Sequence, residues 1–192
     1  MQNGVAAVAD VDWQGLCRNL QAQALDFCRR SAESVLRKGA DPSQLSLRQI
    51  LSRWASTLEF AVVEIKEQGP YPFVAVTAAG DGAAWLLHGQ KGFQTLKSGK
   101  RQTGQLASNA VTALPADPGP ALVTFGQLGA GEALLLVTDG LGDMLGDGGT
   151  ALGGFFQSKL PSCRSLPGFV QAMDVALFQA DDDRTGILIK EA

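Results

Sequence analysis

Two acidic features stand where a protein could hold a hard metal ion. The apolar run Glu132 to Val137 (EALLLV) ends in Thr138-Asp139-Gly140. Three consecutive aspartates, Asp181, Asp182 and Asp183, stand just before a second apolar run, Thr185 to Lys190 (TGILIK). Taken singly, each has a plain reading: Asp-Gly after a strand is a common turn, and acids in a loop are usually solvated. Taken together they point to metal. Carboxylates fixed at strand ends by a rigid sheet suit Mg²⁺ or Mn²⁺, which take oxygen ligands and retain several waters. Asp181, Asp182 and Asp183 also repel one another unless water or a cation screens them. Competing chemistries are poorly supplied. His88 is the single histidine, so a serine–histidine–acid triad would rest on it alone. Cys17, Cys28 and Cys163 lack CxxC spacing and make neither a zinc site nor a disulfide framework. A metal-activated water is the natural nucleophile left.

The elements that must position these acids are readable from periodicity. Trp13, Leu16, Cys17, Leu20, Ala24, Phe27, Cys28 and Val35 fall at helical spacing and predict a helix from about Asp12 to Lys38. Cys17 and Cys28 are read as small buried hydrophobes on that stripe rather than a redox pair. Gly39 ends the helix, and Ser46-Leu47-Arg48-Gln49 opens a short second one through about Trp54. Strands are predicted at Thr57 to Ile65, Phe73 to Thr77, Ala83 to Leu87, Ala121 to Phe125, Glu132 to Val137 and Thr185 to Lys190. The segment from His88 to Leu106 reads as surface hairpins. The glycine-rich stretch Gly140 to Gly154 reads as a mobile loop with little helix. Phe169, Val170, Met173, Leu177 and Phe178 mark a last amphipathic helix. Trp13, Trp54 and Trp85 are expected in the core, His88 at a surface turn, and Asp143 and Asp147 in solvent.

Composition bounds the rest. The 192 residues, 45% apolar and 18% charged, suit one domain spanning 1–192 with a substantial core. A net charge of −3 implies no basic patch, so nucleic acid is not expected as a partner. No run approaches a membrane span, and Asp10 and Asp12 in the opening residues do not fit a secretion signal. The sparse cysteines suit a reducing, cytoplasmic setting.

With these elements in order, the sequence resembles the metal-dependent PP2C-type (PPM) serine/threonine phosphatases. Leu134-Leu135-Leu136-Val137-Thr138-Asp139-Gly140-Leu141-Gly142-Asp143 is similar to their "LLLxSDGLxD" segment. Asp182-Asp183-Arg184-Thr185, followed by Gly186 to Ile189, is similar to "DNxT" and the terminal strand. Val76 to Leu87 is similar to "VANVGDSRAYLL", and Ser56-Thr57-Leu58 stands at the "GTT"-like strand start. All four occur in the family's order, between about Trp13 and Ile189.

The resemblance implies an α+β fold: an α-β-β-α sandwich of two antiparallel sheets flanked by helices. It implies a phosphoric monoester hydrolase acting in signalling on a phosphorylated protein, with two or three Mg²⁺ or Mn²⁺ ions. Asp139 and Asp182 would then be ligands of one catalytic metal, and Asp81 with Asp139 ligands of a third, more labile one. Gly140 and Asp183 would stand beside the ligands rather than on the metal. The glycine-rich stretch falls where the family has its variable flap. The chain also departs from the pattern. The family's "ADGxGG" segment and its phosphate-binding arginine have no counterpart, and Gly82 and Ala83 replace the Ser and Arg of "GDSR". These departures lead to the expectation of an N-terminally incomplete sandwich, with open sheet edges that favour self-association. Weak metal binding and slow or absent turnover are expected with it. Two alternatives stay open: a non-catalytic PP2C-like module that binds a partner or phosphoprotein, and an unrelated α/β sandwich with acidic loops.

Overall fold

The structure, a computed structural model, describes residues 7–37, 55–97, 113–115, 119–146, 148–174 and 185–191. Helix α1 (Trp13–Arg37) starts where Asp12 Oδ1 accepts from the Gly15 backbone N–H at 2.8 Å, a side-chain cap for an otherwise orphaned donor. Trp13, Cys17, Cys28 and Ala32 form its buried stripe. Leu16 and Phe27, expected on that stripe, face solvent instead, Phe27 at 63% exposure. The stripe is thus narrower than the apolar residues alone suggest.

Among the described residues, seven strands form two sheets. One has the order β1 (Leu58–Val63), β2 (Tyr71–Ala79), β5 (Leu122–Leu128). The other has the order β4 (Phe93–Lys97), β3 (Ala83–Leu87), β6 (Ala133–Val137), β7 (Gly186–Lys190). Every neighbouring pair is antiparallel, as the sequence implied.

The period-two alternation of a strand sorts its side chains into layers. From β2, Val74, Val76 and Ala78 join Val8, Trp13 and Cys17 beneath α1. On its other face Phe73 and Ala75 meet Ala84, Leu86, Leu134 and Leu136 between the sheets. Ala83, Trp85 and Leu87 of β3, with Ala133, Leu135 and Val137 of β6, face a second layer of helices. Strands β2, β3 and β6 are covered on both faces. That is why they read as continuous apolar runs rather than alternating ones. The order of layers is helix, sheet, sheet, helix.

The stretch expected to be a mobile loop is largely helical: α2 (Asp139–Leu145) and α3 (Ala151–Lys159), followed by α4 (Leu166–Met173). Leu141, Leu145, Leu152, Phe156 and Leu160 are fully buried against the four-stranded sheet. This packing outweighs the poor intrinsic helix propensity of glycine. Thr150 Oγ1 caps α3, accepting from Gly153 N at 3.1 Å, and Ser165 Oγ caps α4, accepting from Gly168 N at 3.3 Å. Phe169 and Met173 of α4 pack inward, whereas Leu177 and Phe178 lie outside the described residues.

Trp13 and Trp85 are core residues, and Cys17 and Cys28 are buried free thiols. Trp54 and the expected second helix lie outside the described residues. At the far end of β3 and β6, His88 Nδ1 sits 2.5 Å from Glu132 Oε1, and Gly129 N donates to Glu132 Oε2 at 2.8 Å. Burial works against the charge on Glu132, but the Gly129 N–H, His88 and Lys91 together hold its carboxyl below the ordinary range. No helix among the described residues is long and apolar enough to cross a membrane.

Not every glycine in the helical layer is needed for close packing. Gly154 is exposed within α3, and a methyl there would meet nothing within 4 Å. Gly154→Ala should therefore stabilise the fold by about 0.5–1 kcal/mol through helix propensity and the unfolded chain's entropy. In a chain of this size a thermal melt should show a rise of about 1–4 °C.

Candidate functional site

The register of β3 and β6 brings the first acids together. Ala83 pairs with Val137 in an antiparallel ladder. Asp81 stands two residues before Ala83 and Asp139 two residues after Val137, so in this antiparallel pair both emerge at the same end of adjacent strands. Both line one cleft of about 670 Å³, together with Ser56, Thr57, Glu59 and Thr185. The neighbouring strand arrives at the same place. Thr138 N donates to Thr185 O at 3.1 Å, and Thr185 N donates to Thr138 Oγ1 at 3.0 Å. These two bonds tie the start of β7 to the end of β6.

Asp139 is the first residue of α2, and its Oδ1 accepts from Gly140 N at 2.9 Å. Gly140 thus orients the Asp139 carboxylate, which is half-buried. Gly142 N returns to Thr138 O at 2.9 Å, and a methyl on Gly142 would stand 3.2 Å from the Ala83 side chain. The helix therefore leans directly on β3, and Asp139 is fixed by both its strand and its helix.

Asp81 sits in the turn Gly80-Asp81-Gly82, with its Oδ2 buried. Gly80 has φ of +124°, a conformation that side chains rarely adopt, and a methyl there would stand 2.8 Å from Thr57 Cβ. At Gly82 a methyl would overlap the Glu59 carboxylate and come within 2.7 Å of Val137 O. Each glycine lets another strand approach the turn that carries Asp81.

Glu59 and Lys97 are residues of this cleft region that sequence reading does not pick out. Lys97 Nζ reaches Glu59 Oε1 at 2.5 Å and Gly80 O at 3.2 Å, with the two side chains only 11% and 16% exposed. One signal was present: Glu59 alternates with Leu58 and Phe60, so it shares a strand face with Ala61 and Val63, which pack between the sheets. A charge on that face requires a buried partner. Nothing local to Lys97 identifies it as that partner.

Asp182 and Asp183 lie outside the described residues. Asp143 is exposed, as expected, and Asp147 lies outside the described residues. Among the described residues no group of three or more His, Cys, Asp or Glu side chains is arranged to hold a metal ion. The donors gathered in the cleft are nonetheless carboxylate oxygens, the type that Mg²⁺ and Mn²⁺ accept.

No protein-family model and no curated protein matches the sequence. Solved structures do match. The serine/threonine phosphatase of S. agalactiae aligns with a TM-score of 0.52 at 16% identity, over 95% of this chain and 75% of that one. PppA, a key regulatory component of T6SS in Pseudomonas aeruginosa, aligns with a TM-score of 0.51 at 15% identity, over 88% of this chain. This chain spans 66% of the PppA chain. The catalytic domain of the serine/threonine phosphatase PstP, in complex with 2 manganese ions, aligns at TM-score 0.49 and 14% identity, over 88% of this chain and 79% of its own. The two antiparallel sheets, their flanking helices and the alignments with the S. agalactiae phosphatase and PppA show that the chain has the fold of the PP2C-type serine/threonine phosphatases.

Proposed function

We propose that this chain is a Mg²⁺- or Mn²⁺-dependent protein serine/threonine phosphatase whose substrate is a phosphorylated protein. The observation that carries the proposal is the emergence of Asp81 and Asp139 from adjacent strands into one cleft, in a fold shared with serine/threonine phosphatases. Asp81 and Asp139 would supply anionic oxygens to the cation. Asp182 stands three residues before Thr185, a reach of about 10 Å at full extension, and we assign it as the further ligand. Gly140 holds Asp139 Oδ1 through its N–H, and we assign Asp183 a supporting role beside the ligands on the resemblance alone. A divalent ion held there supplies charge neutralisation at a phosphoryl group and activation of water. The cleft volume of about 670 Å³ lies in the ordinary range for a small-molecule site and suits a phosphorylated side chain. The three free cysteines suit a reducing compartment such as the cytoplasm.

A second reading, a non-catalytic module that holds a phosphoprotein, has one observation in its favour. Glu59, the third acid lining the cleft among the described residues, is engaged by Lys97 rather than left to a cation. One experiment separates the two. The chain is stripped with EDTA, then assayed for phosphate release from a phosphoserine peptide and from p-nitrophenyl phosphate while Mn²⁺ is added back. Turnover that is slow, because the first metal motif and the phosphate-binding arginine have no counterpart, yet rises with Mn²⁺ and vanishes with EDTA is the expected result. Phosphopeptide binding without turnover at any Mn²⁺ concentration would support the second reading instead.

A further inference from the structure

We infer that Lys97 is a positioning residue for Asp81, acting from the opposite side of the turn that carries it. The inference rests on the cation-dependent reading above and adds a residue that reading does not use. Lys97 closes β4, at the edge of the four-stranded sheet, whereas Glu59 lies on β1, at the edge of the three-stranded one. Their ion pair therefore crosses between the sheets, at the cleft end of the inter-sheet core.

The geometry fixes both flanks of Asp81. On one side, Lys97 Nζ donates to Gly80 O at 3.2 Å. On the other, the Glu59 carboxylate rests against the α-carbon of Gly82, with no room for a methyl between them. Lys97 holds that carboxylate by its Oε1 at 2.5 Å, and Thr77 Oγ1 lies 3.5 Å from the same oxygen. One ammonium group thus restrains Gly80 directly and Gly82 through Glu59.

The charge matters as much as the contact. Glu59 and Asp81 are acids on the same cleft, and without Lys97 the Glu59 carboxylate would be a shielded anion lacking its counter-charge. Such a group relaxes by moving toward water, and that movement releases Gly82. Arginine keeps the charge and several donors, so it should preserve part of the clamp. Methionine keeps much of the aliphatic stem and loses both.

Two readouts test the inference on the full chain at low temperature, with folding of each variant checked first by far-UV circular dichroism. The first is amide hydrogen exchange across Gly80–Gly82. Lys97→Met should speed it at least tenfold, Lys97→Arg should restore it to within about threefold, and Gly140–Gly142 should stay unchanged. The second is Mn²⁺ affinity, read from the EPR signal of free Mn²⁺. Lys97→Met should weaken it about tenfold, and the loss should be far smaller when Asp81→Asn is already present. A Phe156→Leu control, in the remote helical layer, should lower the melting temperature without changing either readout. Unchanged exchange at Gly80–Gly82 in Lys97→Met overturns the inference. So does a loss of affinity that is the same with and without Asp81. If the unmutated chain binds no Mn²⁺, the cation-dependent reading fails, and the exchange measurement alone decides the role of Lys97.

Discussion

Asp139→Asn is expected to cut Mn²⁺-dependent phosphate release by roughly 10²–10³-fold, the usual cost of removing one group that stabilises charge in the transition state. The substitution is nearly isosteric. The amide oxygen can still accept from Gly140 N, as Oδ1 does now at 2.9 Å, so α2 should start where it does in the parent chain. The full negative charge is lost, and hard divalent cations depend on charge as well as on oxygen. Melting temperature should therefore change little while Mn²⁺ affinity falls with the rate. Asp143→Asn is the matched control, an exposed acid one turn further along the same helix, and it should leave both quantities within about twofold. Rate and affinity would be read by phosphate release and Mn²⁺ titration on the same preparations. An Asp139→Asn protein with the parent's rate would remove Asp139 from the chemistry.

How much of this site was readable in the sequence depended on whether its signals were local. The β3 and β6 runs, Ala83 to Leu87 and Ala133 to Val137, are apolar without interruption because helices and the other sheet cover both faces. An acid at the end of such a run is conspicuous, and Asp139 is found that way. Asp81 is harder: its turn looks like any Gly-Asp-Gly, and only the pairing of Ala83 with Val137 brings it beside Asp139.

The glycine-rich stretch was misread for a physical reason. Glycine lowers helix propensity, but here Gly142 permits the close approach of α2 to Ala83, and Gly153 permits α3 to rest on the Gly148 backbone. The buried pairs Leu141 and Leu145 in α2, and Leu152 and Phe156 in α3, each four residues apart, carried the true signal at helical spacing. Lys97 had no signal of its own. Its partner Glu59 lies 38 positions earlier, on a strand of the other sheet, and only the tertiary fold makes them a pair.

The turn that carries Asp81 should be the most sensitive point of the cleft to added volume. Gly82→Ala places a methyl where the Glu59 carboxylate now lies and within 2.7 Å of Val137 O. The carbonyl belongs to the β6 backbone, which is held on both sides by β3 and β7 and cannot retreat without breaking ladder bonds. Glu59 can move, but only by leaving Lys97, so the methyl either strains the sheet or breaks a partly buried ion pair. Overpacking of this kind costs roughly 1–3 kcal/mol, and loss of a partly buried pair adds a smaller share of about 1 kcal/mol. A net cost of about 3 kcal/mol is expected, which in a chain of this size lowers the melting temperature by about 6–12 °C. Mn²⁺ affinity should fall together with stability, because Asp81 is carried by the displaced turn. Gly82→Ala in a Glu59→Gln, Lys97→Met background separates the two sources of cost. If the ion pair is the main casualty, the added methyl should cost much less there; if the clash with Val137 O dominates, the cost should persist undiminished. A Gly82→Ala chain that melts with its parent would show that the turn has room to spare, and that Asp81 is not held as closely as its two flanking glycines imply.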